Sequence, residues 1–260
     1  MKLNQTIADG KFSVELYTFG SGEPLLYVHG AGGLFGVDPF LEELGRDFKV
    51  FAPHLPGFGE STGGELIEDV IDAALFYHQL MDELGLERAN IVGHSMGGML
   101  AAEVAALDVS RAKKLVLAGP AGFWLDEHPI PDFFALDVAD IGKYLFHDPN
   151  SPLARMMMAV PEDLNALADM YVERVKRLSV ASKFLWPIPD RGLKKRAYRI
   201  AAPTLLLWGE SDKLVPPVYA HEFARRIKHC REETIKEAGH MLMYEQPAAF
   251  CAAVRNFLKG

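Results

Sequence analysis

The chain has 260 residues, of which 49% are hydrophobic and 24% charged, and its formal net charge is −8. This length and composition are typical of one large globular domain, and no apolar run is long enough for a transmembrane helix. The acidic balance argues against nucleic acid and anionic membranes as partners. The two cysteines, Cys230 and Cys251, show no disulfide-framework or zinc-type spacing, and the N-terminus lacks an apolar signal-peptide core, so we expect a cytoplasmic protein.

The first half of the chain alternates between strand and helix patterns, behind a hairpin signalled by Asp9-Gly10. The predicted strands are 3–7, 12–19, 24–28, 49–53, 90–92 and 113–118, and the predicted helices are 39–46, 68–84 and one beginning near Met96. Such alternation predicts an α/β fold with a mostly parallel central sheet of about eight strands and helices on both faces. Ligands of these sheets bind at the carboxyl ends of the strands.

The alternation stops between residues 123 and 200, where helix-like segments rich in large apolar side chains are interrupted by prolines. This segment is too long for a simple crossover, so we predict a helical lid at 123–200 on a core domain formed by 1–122 and 201–260. A peripheral subdomain packed on itself is the alternative. A basic run at 191–199 is expected to be a solvated surface segment. The core is completed by predicted strands at 203–208 and 233–236 and predicted helices at 217–227 and 246–258.

A candidate nucleophile lies where the strand at 90–92 turns into the following helix. Gly93-His94-Ser95-Met96-Gly97 is an instance of G-x-S-x-G, in which a strained serine exposes its hydroxyl and small flanking residues let strand and helix pass closely. The alternative is an ordinary strand–helix turn.

A second glycine-rich loop, His29-Gly30-Ala31-Gly32-Gly33, follows the strand at 24–28. It lacks both phosphate-binding glycine spacings, so half of an oxyanion hole is favoured over a phosphate cradle.

A base and an acid follow the two last strands of the core. A serine hydroxyl needs a base within hydrogen-bond reach, and the base needs an acid that fixes its tautomer. His240 and Asp212 could supply these roles, in the chain order Ser, Asp, His known for α/β-hydrolases. Other candidate acids are Glu210, close to Asp212, and two aspartates beyond the strand at 113–118, Asp126 and Asp137.

Five ordered segments together resemble the α/β-hydrolase superfamily over essentially the whole chain. They are His29-Gly30-Ala31-Gly32-Gly33, Leu55-Pro56-Gly57-Phe58-Gly59-Glu60-Ser61, Gly93-His94-Ser95-Met96-Gly97-Gly98, Gly209-Glu210-Ser211-Asp212-Lys213-Leu214-Val215-Pro216 and Ala238-Gly239-His240. The resemblance implies a catalytic serine, Ser95, with Asp212 as acid and His240 as base. It also implies an oxyanion hole from the backbone N–H groups of Met96 and Ala31, with Gly32 as the neighbouring option.

The residue at the elbow narrows the reaction that the resemblance implies. Haloalkane dehalogenases and soluble epoxide hydrolases have Asp there, whereas esterases, lactonases, lipases, C–C hydrolases and perhydrolases have Ser. C–C hydrolases of vinylogous diketones commonly have Trp after the histidine, where this chain has Met241, and perhydrolases have little lid. We therefore expect a serine hydrolase that cleaves esters or lactones of small, fairly apolar molecules through an acyl-enzyme. The alternatives are a C–C hydrolase and a small-molecule receptor that retains the triad.

The remaining expectations concern the pocket, the other histidines and the assembly. Predicted pocket residues are Gly32, Met157, Trp186 and Met241. His94 is expected to point with the opposite face of the turn and to serve in packing and hydrogen bonding instead of catalysis, and His29 is expected to brace its loop. The other histidines show no metal spacing, so neither a metal nor a cofactor is expected. The expected partner is a small ester-like molecule, and the chain is expected to be a monomer or homodimer.

Overall fold

The computed structural model describes residues 1–36, 38–188 and 190–260. Within these ranges eight strands form one sheet, and in chain order they are β1 (Lys2–Ile7), β2 (Phe12–Phe19), β3 (Glu23–Val28), β4 (Phe48–Pro53), β5 (Ala89–His94), β6 (Ala112–Ala118), β7 (Thr204–Gly209) and β8 (Cys230–Ile235). Their order across the sheet is β1-β2-β4-β3-β5-β6-β7-β8. β2 pairs antiparallel with β1 and β4, and all other pairs are parallel. The predicted α/β fold class is confirmed.

Helices cover both faces of this sheet. Within the described ranges they are α1 (Pro39–Leu44), α2 (Val70–Glu83), α3 (Met96–Leu107), α4 (Val138–Leu145), α5 (Pro152–Met157), α6 (Leu164–Leu185), α7 (Leu193–Arg196), α8 (Val218–Ala224), α9 (Leu242–Glu245) and α10 (Pro247–Lys259). One core layer includes α2, α3 and α8, and the other includes α1 and α10. Every residue of β5 is buried, as expected for a central parallel strand covered on both sides.

Local side chains explain where the predicted and observed elements differ. The side chain of Asp69 accepts hydrogen bonds from the N–H groups of Ile71 and Asp72, at 2.7 and 3.0 Å. This cap starts α2 at Val70, two residues later than the helical periodicity predicts. β8 begins three residues earlier than predicted, at Cys230, because it is an edge strand whose exposed positions carry charged side chains instead of an apolar run.

The segment between β6 and β7 contains α4, α5, α6 and α7, and no strand among its described residues. We call residues 119–203 the insertion. Its longest helix, α6, has 22 residues and is mostly exposed, with buried positions only near its C-terminal end at Ala181, Phe184 and Leu185. None of the helices in the described ranges combines the length and hydrophobicity needed to cross a bilayer.

The basic run at 191–199 is not simply solvated, contrary to the expectation from sequence. Arg196 donates two hydrogen bonds to the carboxylate of Glu103, each 2.7 Å long, and Glu103 lies fully buried in α3. Arg199 donates to the carbonyl oxygen of Ala106, at 2.8 Å. The run therefore joins the insertion to the core, because a carboxylate buried in α3 requires a cation beside it.

We predict that Arg196→Met lowers the free energy of unfolding by about 3 kcal/mol, because it leaves the buried Glu103 carboxylate without its partner. Urea denaturation measures this change. The matched control is Lys195→Met, which removes a charge from an exposed side chain of the same helix. The control is expected to change stability by less than about 0.5 kcal/mol. Equal effects of the two substitutions would contradict a structural role for the ion pair.

Candidate active site

Ser95 lies at the sharp turn between β5 and α3 with φ of 56° and ψ of −119°, which is strained for a residue with a side chain. Two glycines allow the turn. A Cβ on Gly93 would lie 2.4 Å from the carbonyl oxygen of Gly97, and a Cβ on Gly97 would lie 2.1 Å from the carbonyl oxygen of Val28. The backbone of Ser95 is also held to the end of β6, since its N–H donates to Ala118 at 2.9 Å.

His240 and Asp212 form a buried pair after β8 and β7. The Nδ1 of His240 lies 2.7 Å from Oδ2 of Asp212. The other carboxylate oxygen accepts from the N–H groups of Leu214 and Val215, at 3.0 and 2.8 Å. An ionised carboxylate only accepts hydrogen bonds, so Nδ1 carries the proton and Nε2 presents its lone pair. That Nε2 is buried and has no hydrogen-bond partner among the described residues.

The other candidate acids lie elsewhere. Glu210 is exposed and accepts a hydrogen bond from the N–H of Glu237. Asp126 accepts from the indole of Trp124, and Asp137 is an exposed residue at the start of α4. The geometry therefore assigns the partner of the histidine to Asp212.

His94 makes a structural hydrogen bond, as expected, but its ring lies on the side of the base instead of on the opposite face of the turn. Its Nε2 donates to the carbonyl oxygen of His240 at 2.9 Å, and its ring lines the same cavity as Ser95. This hydrogen bond orients the ring of His94 towards the loop after β8, at the carboxyl edge of the sheet. Burial, with a smaller contribution from His240, lowers the pKa of His94 to about 3. His94 is thus a neutral donor that fixes the backbone of the base.

The loop after β3 presents an unused backbone donor beside the serine. The N–H of Ala31 makes no hydrogen bond to any described residue, and the N–H of Met96 is in the first turn of α3, where helices leave donors unpaired. His29 orders the loop from below, as expected. Its Nδ1 donates to Gly30 at 2.7 Å and its Nε2 accepts from Leu55 at 3.0 Å, while burial lowers its pKa to about 3.

A cavity of about 210 Å³ joins these groups, and we call it the large chamber. Its lining residues are Tyr27, Gly30, Ala31, Gly32, Gly33, Phe35, His94, Ser95, Phe133, Ile141, Leu145, Phe146, Met157, Met158, Arg174, Arg177, Leu178, Leu214, His240, Met241 and Tyr244. Three of the residues predicted for the pocket, Gly32, Met157 and Met241, are among them.

Trp186, also predicted for the pocket, does not line the cavity. It lies just after the last residue of α6, is 50% exposed and packs edge-on against the ring of Phe134. The chain leaves the helix at this point, which directs the indole towards the surface instead of the serine.

Several residues around the site are not among those predicted from sequence. Arg174 and Arg177 line the large chamber from α6, and their spacing of three residues is the signal that places both on one helical face.

Glu245 accepts hydrogen bonds from the N–H of Gly239 at 2.7 Å and from the N–H of His147 at 2.7 Å. It therefore connects the loop that carries His240 to the insertion. Burial raises the pKa of Glu245. No local sequence pattern marks this carboxylate.

The described residues contain no group of three or more His, Cys, Asp or Glu side chains arranged to hold a metal ion. What the described residues do assemble is a half-buried serine on a strained turn, a buried imidazole–carboxylate pair and the unpaired N–H of Ala31, with the serine, the imidazole and Ala31 lining one cavity. This is the arrangement expected of a hydrolase with a serine nucleophile.

The family follows from comparison with known proteins. Residues 25–253 match the model of the alpha/beta hydrolase family. The chain belongs to this family.

Known relatives have diverse activities. The chain is 28% identical to a dihydrolipoyllysine-residue acetyltransferase component of an acetoin cleaving system from Cupriavidus necator, covering 93% of this chain and 65% of that protein. It is 27% identical to a 2-hydroxy-6-oxononadienedioate/2-hydroxy-6-oxononatrienedioate hydrolase from Comamonas testosteroni, covering 95% and 91%. An esterase structure from Exiguobacterium antarcticum superposes with a TM-score of 0.79 at 21% identity, over all of both chains, and shows the shared fold.

The buried histidines predict acid sensitivity. The pKa of His94 is about 3 in the folded protein, whereas an ordinary histidine has a pKa of about 6.5. Between pH 3 and pH 6.5 this histidine therefore binds a proton only in the unfolded chain. Its contribution to the stability of the folded protein is lost as the pH falls below about 6.5. For His94→Gln, whose amide can still donate to His240, we expect about 2 kcal/mol less loss of unfolding free energy between pH 7 and pH 5 than in the parent protein.

Urea denaturation at the two pH values measures this difference. His229→Gln, at an exposed position, is the matched control and should retain the parent pH dependence. If His94→Gln and His229→Gln behave alike, His94 is not held neutral by its surroundings.

Proposed function

We propose that the protein is a serine hydrolase that cleaves carboxylic esters, or lactones, of small and fairly apolar molecules through an acyl-enzyme. The observation that carries this proposal is the Asp212–His240 hydrogen bond of 2.7 Å on a cavity that also exposes Ser95. The histidine tautomer is fixed so that Nε2 can take a proton, and the serine is the one hydroxyl placed at the carboxyl end of the central strand β5.

In the acylation step, Nε2 of His240 removes the hydroxyl proton of Ser95 as Oγ attacks the carbonyl carbon. The negative charge that develops on the carbonyl oxygen is stabilised by the N–H groups of Ala31 and Met96 and by the N-terminus of α3. Asp212 stabilises the imidazolium without taking its proton. The imidazolium then protonates the leaving oxygen, and the alcohol departs.

In the deacylation step, His240 removes a proton from water, which attacks the ester carbonyl of the acyl-enzyme. The acid is released and the hydroxyl of Ser95 is regenerated. The large chamber is lined mainly by apolar side chains, including Leu145 and Met157, so an apolar substrate displaces water from it and strengthens the electrostatic contacts at the serine.

The direct test is hydrolysis of p-nitrophenyl acetate. We expect multiple turnovers by the parent protein and a decrease in kcat of at least about 10³-fold in Ser95→Ala, because the nucleophile is removed. Ser110→Ala, which removes an exposed hydroxyl, is the matched control and should retain full activity. Turnover that survives Ser95→Ala would refute the mechanism. One slow turnover with a retained adduct would instead support a small-molecule receptor.

A C–C hydrolase is the second candidate, and two arginines favour it. Arg174 donates to the carbonyl oxygen of Leu136 and Arg177 to that of Gly32, at 3.3 and 3.0 Å, and neither forms an ion pair with a carboxylate among the described residues. The relative from Comamonas testosteroni is named for a dioate substrate, which carries two carboxylates. Unpaired guanidinium groups in this cavity could bind such an anion.

For this candidate we predict cleavage of 2-hydroxy-6-oxononadienedioate, with KM rising about tenfold or more in Arg177→Met because a charge-assisted contact is lost. KM for p-nitrophenyl acetate, which has no anionic group, should stay within about twofold. Arg155→Met, at an exposed position in α5, is the matched control. Absence of any dienedioate cleavage by the parent protein would exclude this candidate.

A further inference from the structure

Two cavities meet at Ser95. The large chamber contains His240 and the loop after β3, as described above. A second cavity of about 30 Å³, which we call the small chamber, is also lined by Ser95 and has neither of them in its lining. Ser95, Phe133 and Leu214 line both chambers. Ser95 therefore borders two spaces of very different size.

One part of the wall of the small chamber is made of core residues. Met99, Phe123, Phe184 and Val215 line it, and each is at most 2% exposed. The ring of Phe123 stacks on that of Phe223, with their centroids 3.9 Å apart. Since a close-packed interior yields little, the chamber cannot widen easily at this part of its wall, whereas the half-buried Ile188 and Arg191 line it elsewhere. Its volume accommodates about two or three water-sized groups.

The direction of proton transfer determines which half of an ester occupies which chamber. When the bond between the carbonyl carbon and the leaving oxygen breaks, His240 gives that oxygen the proton it took from Ser95. The leaving oxygen must therefore lie beside His240, which lines only the large chamber. The acyl group stays bonded to Ser95, and the space left for it is the small chamber.

We propose, on the basis of the proposed ester hydrolysis, that the protein selects esters of short acyl groups, of about two to four carbons, with bulky apolar alcohols. Longer acyl chains meet the wall formed by the buried side chains of Met99 and Phe184. A large alcohol fits between apolar side chains such as Ile141 and extends towards Phe35, which lines the large chamber and is 52% exposed.

Two isoleucines of the insertion provide a matched pair of variants. Ile130 lines only the small chamber and is 9% exposed, whereas Ile141 lines only the large chamber and is 8% exposed. Replacing either by Ala removes the same side-chain volume from a similarly buried site. Only the chamber that is enlarged differs between the two variants.

The experiment measures kcat/KM for p-nitrophenyl acetate, butyrate, hexanoate and octanoate. The parent protein is expected to prefer acetate or butyrate over octanoate by at least about tenfold, since one methylene changes such ratios by about 10-fold or more. Ile130→Ala should raise the ratio of hexanoate to acetate by about tenfold, and Ile141→Ala should leave it within about twofold. With acetate esters, Ile141→Ala should instead change the ratio of kcat/KM for 4-methylumbelliferyl acetate to kcat/KM for phenyl acetate.

Three outcomes are decisive. A parent protein that hydrolyses octanoate as well as acetate overturns this inference while leaving the proposed ester hydrolysis intact, and this result does not depend on either variant folding. A gain in long-chain activity from Ile141→Ala instead of Ile130→Ala overturns the assignment of the chambers. Absence of hydrolysis of every ester refutes the proposed function itself.

Discussion

The close approach of α3 to the end of β3 is the constraint on which the rest of the site depends. A Cβ on Gly97 would lie 2.1 Å from the carbonyl oxygen of Val28, so a single added methyl group would push the helix away. Because the helix and the strand touch, the start of α3, with Met96, and the loop after β3, with Ala31, both lie close to Ser95. The backbone of Ser95 is strained at this contact, and the surrounding buried core maintains its strained conformation.

The sheet topology explains why much of the fold, and the placement of the three residues predicted for catalysis at one edge of the sheet, could be inferred from sequence. Ser95, Asp212 and His240 each follow a strand of the parallel part of the sheet, and parallel strands end at one edge. The apolar runs of β3, β5 and β7 are easy to recognise because both of their faces are buried. The topology therefore brings together residues that are remote in the chain. Their proximity can be predicted from the topology without any knowledge of side-chain contacts.

Other features depend on contacts that no local pattern records. The charge of Glu103 is hidden in an otherwise apolar helix, and its partner Arg196 lies in a run that looks solvated. β8 has an exposed surface and so lacks an apolar run. Trp186 was predicted to line the pocket, but the direction of its side chain is set by where α6 stops. In the insertion, helix ends and tertiary contacts determine the directions and partners of the side chains, and periodicity alone does not predict them.

The loop after β7 links the chemistry of the site to its shape. Oδ1 of Asp212 accepts from the N–H of Leu214, and the side chain of Leu214 lies between the large and small chambers. The hydrogen bond that orients the carboxylate towards His240 therefore also positions the partition beside Ser95. A shift of this loop would change the orientation of the base and the boundary between the chambers at the same time. Walls contributed by the insertion alone, such as Ile130, can vary without disturbing that hydrogen bond, because they are attached to a different part of the chain.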